Sequence, residues 1–151
     1  MSNRQVLDHS ISIRASATDV EQCLTRQDLM HRWLNPALRC EPIGEWNTDL
    51  GGKSRFLIQL PLWQPTLIST IVEREPGLIV WAFDGFFKGQ DRWECCPDPA
   101  GTRLINQFEF EIPNPMVKAG FNWFAASWTE RDMAAQLRRL KQVAETLANQ
   151  C

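Results

Sequence analysis

The chain has no tyrosine, although it carries seven tryptophans and eight phenylalanines among its 151 residues. Large rings without phenol hydroxyls suit apolar volume more than polar networks. The sequence contains no C-x-x-C, no H-x-x-x-H and no H-E-x-x-H, and it has only two histidines. The five cysteines (Cys23, Cys40, Cys95, Cys96 and Cys151) are odd in number, and the adjacent Cys95 and Cys96 are poorly placed to pair with each other. This is neither a disulfide framework nor a zinc pattern, so no metal and no cofactor is expected. Free thiols point to a reducing cytoplasm. There is no excess of basic residues. The net charge is −2 and the pI about 5.7, against a nucleic-acid surface and against a polybasic membrane signal. No apolar run approaches the ~20 residues of a membrane span, and MSNRQVLDHSISIR lacks the apolar core of a signal peptide.

What is present reads as one domain over residues 1–151, of ordinary hydrophobic and charged content. Residues 5–14 alternate, with Leu7, His9, Ile11 and Ile13 on one face, which predicts a half-buried strand. Ser16 to Asp19 offer caps for a short helix over 20–25, and a second short helix is expected over 28–33, stopped by Asn35-Pro36. Six further strands are expected at 38–46, 53–60, 66–74, 78–84, 90–96 and 102–112. In the last, Leu104, Asn106, Phe108, Phe110 and Ile112 form the inward row. Turn signals recur about every dozen residues, which favours an antiparallel meander. Met133, Leu137, Leu140, Ala144 and Leu147 make one apolar stripe of a long C-terminal helix. Two starts compete for that helix, Asn114-Pro115 and the capping-box spacing Ser127 to Glu130. Only this helix is long enough to cover the sheet's apolar face, and a curved sheet wrapped on it leaves a space between them.

That order resembles the helix-grip fold of the SRPBCC superfamily, which includes the START lipid-transfer domains, the polyketide cyclase/dehydrase-like proteins, the Bet v 1-like proteins and the AHSA-type co-chaperone homologues. The stretches that carry the resemblance are SISIRASATDVEQCLTRQDLMHRWLNP at 10–36, DLGGKSRF at 49–56, TIVEREPGLIVWAF at 70–83, AGTRL at 100–104, and W-x(8)-LRRLK ending at Lys141. The resemblance implies an α+β fold: a curved antiparallel sheet of about seven strands on a long C-terminal helix, with two short helices after the first strand. It also implies a deep cavity for an apolar or amphipathic small molecule. It transfers no catalytic residue and does not decide between carriers and enzymes.

Three functions follow as expectations. The first is a carrier or sensor binding a hydrophobic small molecule. The second is a cyclase- or dehydratase-type enzyme on a polyketide- or isoprenoid-like substrate. The third is a protein-interaction module like the co-chaperone homologues, with a filled core and an exposed patch around Phe86, Phe87 and Phe121. The cavity candidates are His9, Trp33, Phe56, Ile58, Trp81, Phe83, Trp93, Asn106, Phe108, Phe110, Phe121, Phe124 and Trp128. Each ring is equally suited to plain core packing. His9 reads as a core histidine or a polar group in the cavity, and His31 as an exposed residue at its mouth. Asn106, an amide in an apolar row, must find hydrogen bonds at a cost of about 1–3 kcal/mol if it does not. It either bonds a neighbour or orients a ligand. Asp84, Asp91 and Glu94 are placed near strand ends as solvated carboxylates, with Arg92 pairing Glu94. Asp49 to Ser54 leads into a strand and reads as a hairpin turn, not a phosphate loop. The stretch FNWFAASW, residues 121–128, packs under the short helices, lines the cavity mouth, or forms a homodimer patch.

Overall fold

The computed structural model describes residues 4–59, 64–85, 88–112, 115–116 and 126–150, and the side chains of 126–130 lie outside that description. The chain opens with β1 (Gln5–Ile13), α1 (Ala17–Thr25) and α2 (Gln27–Trp33). Then come β2 (Leu38–Pro42), β3 (Lys53–Ile58), β4 (Thr66–Glu75), β5 (Leu78–Gly85), β6 (Lys88–Asp98) and β7 (Gly101–Glu111), and finally the C-terminal helix, here α3 (Ala126–Ala148). The strands form one antiparallel sheet in the order β1-β7-β6-β5-β4-β3-β2. This is the expected α+β helix-grip architecture, a curled half-barrel with two short helices after the first strand.

Local chemistry sets the boundaries. The Ser16 hydroxyl accepts from the Asp19 amide at 3.1 Å and caps α1. After α2, the Asn35 side-chain oxygen accepts from the Ala37 amide at 2.8 Å and turns the chain into β2. β2 is shorter than the sequence suggests, because the chain leaves the sheet at Ile43 and Gly44 adopts a φ of 79°. β4 and β5 join through Pro76-Gly77, with Gly77 at φ 79°, the left-handed geometry a second central turn residue needs here. An extra residue, Val72, bulges β4 between Ile71 and Glu73, which strengthens the local twist of the sheet. β6 runs from 88 to 98, longer at both ends than expected. The described part of α3 starts at Ala126, beside the second of the two competing helix starts, and Pro115 and Met116 are also helical.

One face of the sheet holds α1, α2 and α3. The apolar stripe of α3 buries Met133, Leu137, Leu140 and Ala144 against it, as its spacing predicts. Polar ties fix the helix in place. Lys141 Nζ donates to the Ser12 carbonyl at 2.9 Å, and Glu145 accepts from the Arg14 amide at 3.1 Å. At its other end Arg139 Nε donates to the Trp33 carbonyl at 2.9 Å, and Asp132 accepts from Asn35 at 2.7 Å. Arg74 and Glu21 form a half-buried ion pair at 2.6 Å that links β4 to α1.

Candidate functional site

The register places the inward side chains in rows across the concave face. One row reads His9, Asn106, Trp93, Ile79. The next reads Leu7, Phe108, Asp91, Trp81, Ile71. A third reads Phe110, Gly89, Phe83, Ser69, Ser54. Alternation along each strand dictates these rows, since every second residue points to the same face.

The face has a closed part and an open part. Ile13, Leu104, Ile79 and Trp93 are fully buried against α1, α2 and α3. Leu7, His9, Phe56, Ile58, Phe83 and Asp91 also point inward, yet they keep accessible surface. Among the described residues they line a partly open hollow on the concave face. Its walls are Phe108, Phe83 and Phe56, in edge-to-face contacts at centroid distances of 6.1 Å and 5.8 Å, and its back is Trp81.

Asp91 is the corrected residue. It is not a solvated carboxylate near a strand end but an inward group in the interior of β6, flanked on the ladder by Phe108 and Trp81. Burial among these rings pushes its carboxyl from 3.8 up to about 6, while hydrogen bonds from Asn106 and Trp93 pull it the other way. Asn106 Nδ2 donates to Asp91 Oδ1 at 2.6 Å and to the Arg92 carbonyl at 3.2 Å. Trp93 Nε1 donates to Asp91 Oδ2 at 2.8 Å. Asp91 has the same parity as Trp93, and that parity was the signal in the sequence that could have found it.

Among the described residues three polar atoms here are buried without a hydrogen-bond partner: Asn106 Oδ1, His9 Nδ1 and Ser69 Oγ. Both Asn106 contacts are to acceptors, so its amide nitrogen is correctly assigned and the unpartnered atom is the oxygen. Ser69, opposite Ser54 and Phe83, was not singled out in the sequence because a serine in a strand carries no distinctive signal.

The other candidates divide by position. Trp33 and Trp93 pack edge to face at 5.4 Å and are 2% and 1% exposed, and Trp33 Nε1 donates to the Cys23 carbonyl at 2.8 Å. They form the closed core behind the hollow. Phe110 is buried beside Phe108 at 5.0 Å, together with Ile112 and Met133. Phe121 and Phe124, and with them most of FNWFAASW, lie outside the described residues, as do Phe86 and Phe87 and the side chain of Trp128. His31 is exposed, and its Nε2 accepts from the Cys40 amide at 3.2 Å. Arg92 pairs with Glu94 at 3.0 Å on the convex face. Asp49 to Gly52 form a turn closed by the Gly52 amide on the Asp49 carbonyl at 2.9 Å. A shallow open groove of about 480 Å³, lined by Lys53, Ile68, Thr70, Ala82 and Asp84 on the convex face, reaches Phe83 and Gly85 at the end of β5. Among the described residues no group of three or more His, Cys, Asp or Glu is placed to hold a metal ion, and no helix is long and apolar enough to cross a membrane.

Several solved structures share this fold. A protein from Thermus thermophilus superposes with a TM-score of 0.74 over 96% of this chain and 99% of its own, at 12% identity. One from Chromobacterium violaceum gives 0.72 over 93% and 97%, at 16% identity. Ara h 8.0201, a Bet v 1-like allergen, gives 0.69 over 99% and 100%, at 9% identity. No curated protein matches the sequence. The family described as polyketide cyclase / dehydrase and lipid transport matches residues 4–145. With nearly the whole chain matched, and with the sheet and helices of the SRPBCC superfamily in place, the chain belongs to that family.

Proposed function

We propose that this protein binds an apolar or amphipathic small molecule in the hollow between the concave face and α3, as a carrier or sensor. The observation that carries the reading is the half-covered inward set: Leu7, Phe56, Ile58, Phe83 and Asp91 point toward the helix side yet keep accessible surface. A core that the protein fills by itself would bury them, as it buries Trp33 and Trp93. Ring and aliphatic walls supply affinity through burial of apolar area, and the few polar groups supply orientation. Free thiols at Cys23, Cys40, Cys95 and Cys96 support a reducing compartment, the cytoplasm.

N-phenyl-1-naphthylamine, an uncharged apolar fluorophore, tests this. Saturable binding at one site per chain, confirmed as a single adduct by native mass spectrometry, is the expected result. A protein that neither enhances its fluorescence nor carries an adduct refutes the reading.

A second reading, proton-transfer chemistry of the cyclase or dehydratase type, has one specific observation in its favour. Asp91 is a partly buried residue whose carboxyl burial raises to about 6, close to neutrality, where a general acid or base works best. Recovery of a bound compound chemically altered after incubation, and unaltered with Asp91→Asn, would move the assignment there.

A further inference from the structure

We infer that the ligand carries a hydrogen-bond-donating head, a hydroxyl or a protonated amine, seated on Asp91, which Asn106 holds in position, and that anionic heads are rejected. This rests on the reading of the hollow as a binding site.

The argument is an accounting of donors and acceptors on the concave face. Asp91 offers two acceptor oxygens, and each already takes one donor, from Asn106 and Trp93. A carboxylate oxygen accepts more than one hydrogen bond, so both keep capacity, and the residue is not fully buried. Among the described residues Asn106 Oδ1 is an acceptor without a donor, on a residue that is 0% exposed, so Asn106 acts on the ligand through Asp91. Among the described residues no Lys or Arg forms an ion pair with Asp91, and its ladder neighbours Phe108 and Trp81 are rings. The surplus on this face is therefore of acceptors and of negative charge. Asn106 and Trp93 spend their donors on the carboxylate and hold it in place, and a ligand carboxylate would meet Asp91 without a compensating cation. Buried acceptors are completed by donors, and a carboxylate in apolar surroundings gains most from a donor or a cation. A hydroxyl or ammonium at the end of an apolar body fits both requirements.

The test is displacement of N-phenyl-1-naphthylamine at about pH 7.5 by 1-decanol, decylamine and decanoate, which share one apolar body. Decanol and decylamine should displace the probe at concentrations at least ten-fold lower than decanoate. Asp91→Asn should bring decylamine and decanoate within about three-fold of each other, and Asn106→Leu should weaken decanol by more than ten-fold. The wild-type comparison alone is decisive if either variant fails to fold. Decanoate competing as well as the other two overturns the head-group assignment and leaves the binding reading intact. Probe that does not bind at all overturns the binding reading itself.

Discussion

The Asp91 carboxyl can be read directly through Trp93, whose indole N–H donates to Asp91 Oδ2 at 2.8 Å. In a proton–nitrogen correlation spectrum the Trp93 indole peak, assigned by its loss in Trp93→Phe, should move with pH around a midpoint of about 6. Asn106→Leu removes the 2.6 Å bond from Asn106 to that carboxyl. A hydrogen bond to a charged group is worth roughly 1.5–3 kcal/mol. At about 1.4 kcal/mol per pH unit, the midpoint should climb by ~1–2 units. The direction for stability follows from the same shift. The carboxyl is raised in the folded protein from 3.8 to about 6, so its protonated form is favoured by folding. That stabilisation is complete below 3.8 and is lost as the pH rises through about 6. It amounts to at most about 3 kcal/mol, less to the extent that water reaches the carboxylate. Urea titrations of the wild type at about pH 4 and pH 6.5 should show the decline, and Asp91→Asn should flatten it. A Trp93 indole midpoint at or below about 4, or one that Asn106→Leu leaves unmoved, would refute the reasoning.

Two further outcomes test the frame that holds the site. Trp33→Ala removes a buried ring packed on Trp93 and its bond to the Cys23 carbonyl, so urea denaturation should show a loss of about 3–5 kcal/mol. Gly89 sits on the concave face between Phe83 and Phe110, and a Cβ there would collide with the Glu109 backbone carbonyl. Gly89→Ala should therefore cost on the order of 1–3 kcal/mol in the same assay, with amide exchange accelerating along β6 and β7.

Most of the architecture was legible because it rests on local rules. Alternation in residues 5–14 and 102–112 turned Leu7, His9, Ile11 and Ile13, and Leu104, Asn106, Phe108 and Phe110, inward, and the β1–β7 ladder brings these two rows together on one face. The stripe from Met133 to Leu147 showed which side of α3 meets the sheet. Boundaries were less legible. β2 ends early at Pro42, and β6 extends to Lys88 and Asp98, because strand ends depend on what the partner strand offers. The aromatic candidates could not be sorted into core and lining from composition, since Trp33, Trp93, Phe56 and Phe83 have the same chemistry. Only the position of α2 over Trp93, and of no described helix over Phe56, separates them.

The sequence by itself determined the sheet, the three helices, the face each strand turns inward and the family, because these follow from periodicity and the order of elements. It also marked Asn106 as an amide that had to be accounted for. The tertiary structure alone decided what that amide does and what Asp91 is. The environment of Asp91 is made by Trp81 on β5 and by Asn106 and Phe108 on β7. A carboxylate's charge preference depends on the groups within a few ångströms of it, and in a sheet those groups come from other strands.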